Sequence, residues 1–213
     1  MTDSENLLTA FHSFANLFEP IWFWKMDSEF HVLQSDCPHE SLFRSLLLRE
    51  GRREAIEAHI ATTDRPVCFT VPSMLSWIIG FAPEDGKIHN IYLVGPFFLD
   101  YKDPESSADR MAQTDLTQEA QEALQAALPT LPVLSSETLV QYAVILHYCI
   151  RQERLAPSEV VHYVARPKTR KHSKSVETNQ FEKSSGRWSM EQELLKWPMT
   201  ATMSLLATIC SAT

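Results

Sequence analysis

One thiol and two imidazoles lie close together near residue 37, and these residue types can bind a metal or act in nucleophilic catalysis. Cys37 and His39 are two residues apart across Pro38, and His31 is near. A zinc site needs a second close pair of ligands to complete a tetrahedral set, and the sequence supplies none. A catalytic Cys/His pair is normally assembled by the fold rather than by adjacency. We therefore interpret this segment as a turn that places a polar imidazole near the mouth of a pocket.

Other catalytic patterns are missing from the sequence. It contains no serine in a nucleophile elbow, no Gly-rich phosphate loop and no quartet of metal ligands. Glu84 and Asp85 fall in a predicted hairpin turn, and Glu54 and Glu57 fall on a predicted helix face, where exposure explains their charge. These observations favour a binding protein without enzymatic activity. A small-molecule-binding enzyme on a similar α+β scaffold remains the alternative.

Composition places the chain in a broad class. It has 213 residues, a net charge of −8 and four widely separated cysteines. The sequence has no apolar run of the roughly 18 residues that a membrane helix needs, and its first five residues are acidic where a secretory signal is basic. Distant cysteines without a Cys-x-x-Cys pair favour reduced thiols. We therefore expect a cytoplasmic, globular protein with no membrane contact.

Charge is distributed unevenly along the chain. Residues 1–164 carry 11 basic and 23 acidic side chains, whereas residues 165–187 carry seven basic and two acidic ones. The second stretch lacks apolar periodicity and predicts a polar, basic linker. A flexible basic arm could add non-specific affinity for DNA, but it cannot read a sequence by itself. We therefore expect no direct sequence-specific DNA binding by this chain.

Apolar periodicity predicts an α+β fold. Residues 7–18 recur at helical spacing before Pro20, and further helices are predicted at 42–47 and 53–61. Five strands are predicted, at 21–26, 30–33, 66–71, 75–81 and 89–94. After them the pattern turns helical, at 108–112, 116–128 and 137–154, the last behind a Ser135-Ser136 cap, and a short element follows at 157–159. This order predicts a five-stranded antiparallel sheet flanked by helices on one face and followed by a helical segment.

A single sheet that helices cover only in part leaves a concave apolar face, which commonly holds a small ligand. Five residues alternate with apolar neighbours where such a cup needs polar tips, and they are our predicted ligand-binding residues: Trp24, His39, Cys68, Trp77 and Tyr92. For the aromatic residues Trp24, Trp77 and Tyr92, packing in the core is the favoured interpretation and ligand contact is the alternative. No haem or flavin attachment motif is present, so we predict no cofactor and no metal.

Three segments resemble one known family. They are Ser35-Asp36-Cys37-Pro38-His39, Pro72-Ser73-Met74-Leu75-Ser76-Trp77 and Ile91-Tyr92-Leu93-Val94-Gly95-Pro96-Phe97. With the helix–strand–strand opening and a Glu-rich helix start at 190–195, they resemble the N-terminal sensor region of AraC-type bacterial transcription regulators. The resemblance covers roughly residues 5–196. It implies a PAS- or GAF-like sensor domain at 1–104, a helical extension at 105–165 packed on it, and a linker at 166–187.

The last segment, 188–213, departs from that family. Such regulators continue into a pair of DNA-binding helix-turn-helix units, whereas this chain stops at Thr213, and residues 198–213 carry no charge. One explanation is a change of reading frame near Trp197. The other is a short apolar helix at 199–209 that packs on the domain or on a second copy.

The resemblance also implies a mechanism. A small-molecule ligand or a partner would bind the cup and bias the packing of the helix predicted at 137–154. In a full-length relative this change would reposition the DNA-binding domain. In this chain it would alter assembly into a homodimer, or into a mixed dimer with a full-length regulator.

Overall fold

The computed structural model describes residues 3–17, 20–49, 51–71, 75–84, 87–99 and 117–165. In these residues the chain forms helices and a mixed β-sheet of seven strands. The predicted α+β class is confirmed. The prediction of five antiparallel strands is wrong, because two further strands join the sheet in parallel.

The elements follow the predicted order, with small changes at their ends. The helices are α1 (Asp3–Ala15), α2 (Glu40–Leu47), α3 (Arg52–Thr62), α4 (Gln118–Ala127) and α5 (Ser136–Arg151). The strands are β1 (Phe23–Asp27), β2 (Val32–Ser35), β3 (Val67–Thr70), β4 (Leu75–Glu84), β5 (Lys87–Leu99), β6 (Val133–Leu134) and β7 (Val161–Val164). Short 3-10 helices form at Leu128–Thr130 and Pro157–Glu159.

The five predicted strands lie side by side in the order β2-β1-β5-β4-β3, with antiparallel neighbours. Strand β7 adds to the free edge of β3, and β6 pairs with the end of β5. Both extra strands come from the segment that we predicted to be helical. They are two and four residues long. Runs this short carry too little periodicity to be recognised from sequence. They form because an open sheet edge supplies their hydrogen-bond partners.

Helices cover both faces of the sheet, not one face as predicted. Successive residues of a strand point to opposite faces, so β3 directs Cys68 to one side and Phe69 to the other. Helices α1 and α5 pack on the Cys68 side, and we call this the α1/α5 layer. Helices α2, α3 and α4 pack on the Phe69 side, the α2/α3/α4 layer. The open concave face expected from the sequence is therefore filled by helices.

Helix α5 lies very close to the centre of the sheet, and Gly80 of β4 makes this approach possible. A Cβ atom at Gly80 would stand 2.6 Å from Cδ1 of Ile150 and 3.1 Å from Cδ2 of Leu146. The helix begins at a cap, where the Ser135 side chain accepts a hydrogen bond from the backbone N–H of Thr138 at 3.1 Å. The Ser135 cap fixes where α5 begins, and the missing side chain at Gly80 lets the helix pack directly on β4.

Several predictions fall outside the described residues. They are the helix at 108–112, the linker at 166–187, the tail at 188–213 and the Asp85-Gly86 hairpin step. Among the helices that the structure does describe, none is both long enough and apolar enough to cross a membrane.

Candidate functional site

The two predicted tryptophans lie in the α2/α3/α4 layer, fully buried. Nε1 of Trp24 donates a hydrogen bond to the carbonyl oxygen of Gly95 at 2.7 Å. Nε1 of Trp77 has no hydrogen-bond partner in the part of the chain that the structure describes. Both side chains contribute to the core, and only Trp77 keeps an unused polar atom there.

Cys68 and Tyr92 lie on the opposite side of the sheet, in the α1/α5 layer. Burial raises the pKa of the Cys68 thiol, so the thiol stays protonated at neutral pH. Burial also raises the pKa of Tyr92, whose ring centroid is 5.9 Å from Nζ of Lys25. The sheet therefore separates these two residues from Trp24 and Trp77, and the predicted residues do not line one common pocket.

His39 stands directly before α2, in a turn at residues 38–39, and this is the turn predicted for the segment. Its ring meets the Phe43 ring edge-on, with 6.3 Å between centroids. Burial raises the pKa of Cys37 to about 12, which keeps this thiol unreactive at neutral pH. Among the described cysteines, Cys37, Cys68 and Cys149 are buried and form no disulfide bond with one another.

A groove of about 620 Å³ lies elsewhere, at the end of the α2/α3/α4 layer. It is bordered by the β1–β2 turn, one face of α2, the start of α3 and the first turn of α4. The lining residues are Glu29, Phe30, His31, Ser41, Arg44, Ser45, Leu48, Arg49, Arg53, Thr117 and Ala120. Its volume falls in the range of small-molecule sites. None of the five residues predicted from sequence lines it.

The β1–β2 turn is held by a dense set of hydrogen bonds. Oδ1 of Asp27 accepts from the backbone N–H groups of Glu29 at 2.9 Å and His31 at 2.8 Å, and Oδ2 lies 3.0 Å from Nδ1 of His31. These bonds lower the pKa of Asp27. They also hold Phe30 at φ +67°, a left-handed conformation that costs a bulky residue free energy. Strain of this kind is concentrated at functional sites, which draws attention to the groove beside Phe30.

Helix α2 is amphipathic, and it turns a polar stripe toward the groove. Ser41, Arg44, Ser45 and Leu48 line the groove at spacings of three and four, so they share one helix face. The opposite face is buried in the core through Phe43, Leu46 and Leu47. Within the described residues, Arg44 has no ion-pair partner. The helix therefore presents a guanidinium group flanked by the hydroxyl groups of Ser41 and Ser45, of which that of Ser45 already donates to the Leu42 carbonyl oxygen at 2.7 Å.

The groove is cationic although the chain is acidic. Among the residues that the structure describes, its lining holds three arginines and one carboxylate, that of Glu29, in a chain of net charge −8. Arg53 shares its charge with Glu57 at 2.8 Å, and its guanidinium carbon lies 5.3 Å from the Phe30 ring centroid. The start of α4 contributes little net charge, because Glu119 in its first turn offsets the positive end of the helix dipole. The arginines therefore define the electrostatics of the groove.

The sequence contains a local cluster of arginines that the net charge of segment 1–164 conceals. Four of the 11 basic residues of segment 1–164 fall between positions 44 and 53: Arg44, Arg49, Arg52 and Arg53. Arg52 is buried and donates to the backbone oxygen of Leu46, so it fixes the α2–α3 corner. The other three line the groove. A local cluster of arginines in an acidic domain is the pattern that indicates such a site.

Comparison of the chain with protein families, with curated proteins and with solved structures found no match. Among the described residues, no group of three or more His, Cys, Asp or Glu side chains is placed to hold a metal ion.

Proposed function

We propose that this chain is a non-enzymatic regulatory sensor domain, related to the N-terminal region of AraC-type transcription regulators, that responds to a small molecule bound in the arginine-lined groove. The observation that carries this proposal is the groove itself. It combines a volume of about 620 Å³, cationic walls and a hydrogen-bonded turn that holds Phe30 in a strained conformation. Binding sites, unlike plain surface, combine concave shape with a few fixed polar groups.

The sheet topology supports the PAS- or GAF-like part of the proposal. The order β2-β1-β5-β4-β3, with α2 and α3 between β2 and β3, is compatible with the domain that the resemblance implies. The groove lies beside that helix pair. Strands β6 and β7 extend this sheet at positions where the resemblance implies only helices.

A short chain connection links the groove to the long helix α5. The first turn of α4 lines the groove, and residues 128–135 lead from the end of α4 through β6 to the Ser135 cap of α5. A ligand that draws α4 toward α2 would pull on this connection. We expect the pull to shift α5 on Gly80, because a close-packed layer changes position in discrete steps.

The expected output is a change in association. In a full-length regulator, movement of α5 would reposition a DNA-binding domain. In this chain it would change the equilibrium between monomer and homodimer, or between the chain and a mixed dimer with a full-length regulator.

The proposal is tested by native mass spectrometry of the purified chain and by thermal-shift screening against metabolites. A ligand at 100 times its Kd stabilises the folded state by about 2.7 kcal/mol, which raises Tm by several degrees. We expect such a rise together with a ligand-dependent change in sedimentation, and no chemical change in the ligand. Turnover of the ligand would favour the alternative enzyme. A chain that holds no ligand and never associates would contradict the proposal.

A further inference from the structure

We infer that the ligand of this groove is a compact anion, with a carboxylate or phosphate group attached to a small apolar body, and that Arg44 is its principal cationic contact. This inference rests on the proposed function, because it assigns a ligand class to the same groove.

The charge of the lining carries the first step. Among the described lining residues, three arginines outnumber the Glu29 carboxylate, and Glu57 offsets the charge of Arg53, so an excess of positive charge remains on this concave surface. Clefts lined mostly by one sign of charge concentrate ions of the opposite sign. The rest of segment 1–164 carries a net negative charge, so the groove is a local positive region within an acidic segment.

The ion pairs already present single out Arg44. Arg53 is engaged by Glu57 at 2.8 Å, and His31 lies 3.0 Å from Asp27. Arg49 also has an interaction partner, whereas Arg44 has no acidic partner among the described residues. A guanidinium group offers a planar set of donors that binds carboxylate or phosphate through two parallel hydrogen bonds. Ser41, three residues before it on the same stripe, adds a hydroxyl group.

The apolar lining carries the second step. Leu48 and Ala120 border the groove on opposite elements, the end of α2 and the first turn of α4, and both side chains are half-buried. Phe30 also borders the groove, but it is only 4% exposed and is packed in the core. The Asp27 hydrogen bonds fix the turn before any ligand arrives, so binding does not have to order it. A ligand with a small apolar body can bury that body against Leu48 and Ala120. Free inorganic phosphate lacks such a body, and we expect it to bind more weakly.

The size of the cationic surface argues against a nucleic acid. Binding to a nucleic-acid backbone depends on contacts to many successive phosphates, and this groove offers three arginines beside acidic residues such as Glu29 and Glu57. The same three groups are sufficient for a single carboxylate or phosphate.

Isothermal titration calorimetry on the whole chain tests the inference with four probes: phenyl phosphate, benzoate, inorganic phosphate and benzyl alcohol. We expect one of the two aromatic anions to bind most tightly, and the choice between them identifies the acid group. Benzyl alcohol keeps the ring and lacks the charge, so it should bind at least about tenfold more weakly. Added salt should weaken the binding of the anions.

Two variants locate the site. Arg44→Gln should weaken binding of the better anion by about tenfold to a hundredfold, because it removes a charge-assisted contact. Arg154→Gln removes the same charge from an exposed residue outside the groove and should leave binding unchanged. Circular dichroism checks that both variants fold. Amide chemical shifts in the NMR spectrum of the unaltered chain should move at residues 41–48 when the probe is added, which locates the site without any substitution.

Each adverse outcome has a distinct meaning. Equal binding of benzyl alcohol and the anions would overturn the ligand class. Equal effects of Arg44→Gln and Arg154→Gln would overturn the assignment of Arg44. If the chain binds only neutral metabolites in the thermal-shift screen, the inference fails and the proposed function stands. If no metabolite and no anion binds, both fail.

Discussion

Replacing each of the two fully buried tryptophans by phenylalanine measures how much a hydrogen bond to the indole N–H contributes to the free energy of unfolding. Trp24 and Trp77 share the α2/α3/α4 layer, and their exposed fractions are 1% and 0%. The substitution removes the same atoms from each side chain. The loss of packing should therefore be similar, and the difference between the two variants reports on the hydrogen bond.

The magnitude follows from the two environments. Trp24→Phe breaks the bond to the Gly95 oxygen, which costs about 1 kcal/mol of net stability, and more where the oxygen is left unsatisfied. Trp77→Phe removes a buried N–H that has no partner among the described residues, which relieves a penalty of about 1–3 kcal/mol. We therefore expect Trp24→Phe to lower the free energy of unfolding by at least about 2 kcal/mol more than Trp77→Phe does.

Urea unfolding followed by far-ultraviolet circular dichroism measures this difference without relying on tryptophan fluorescence. With a typical dependence on urea, the two midpoints should differ by about 1 M. The comparison is valid only if the slope is the same in both variants. A Trp77→Phe variant that is as destabilised as Trp24→Phe would refute the reasoning, since it would mean that the Trp77 N–H has an acceptor in solution.

Three further predictions concern pH and packing. The hydrogen bond to Asp36 raises the pKa of His12. This pair therefore stabilises the fold fully below about pH 6.5 and loses its effect as the pH rises through the raised pKa. In urea unfolding, His12→Gln should lower the free energy of unfolding more at about pH 5 than at about pH 8. Burial lowers the pKa of His147. The stability that the neutral imidazole contributes is therefore present above about pH 6.5 and is lost as the pH falls through the lowered pKa. His147→Asn should make the free energy of unfolding fall less steeply on the acid side, and an unchanged pH dependence would contradict this. Gly80→Val should cost about 1–3 kcal/mol in the same assay because its Cβ meets Ile150, and a neutral effect would show that α5 moves away without cost.

Much of the element order could be predicted from the sequence, because it depends on local interactions. Apolar residues at spacings of three and four gave α1, α2 and α3 to within a few residues of their observed bounds. The Ser135 cap located the start of α5. These signals act over one or two turns of chain, so they survive whatever the rest of the protein does.

The faces of the sheet and the extra strands could not be predicted in this way. Each strand alternates its side chains between two faces, and only the packing of helices on both sides decides that Cys68 and Trp77 lie apart. Strand β7 exists because the edge of β3 is open to it. Its hydrogen bonds join residues almost 100 positions apart, which no local pattern specifies.

The groove shows most clearly which features follow from the sequence alone and which follow only from the tertiary structure. The sequence alone determined that four arginines occur within ten residues and that α2 has a polar stripe. Only the tertiary structure brought that stripe against Phe30, which precedes α2 in the sequence, and against the first turn of α4, which follows α2 by about 70 residues. The physical reason is that amphipathic periodicity fixes which side of a helix faces the core, whereas long-range packing decides which surfaces become neighbours.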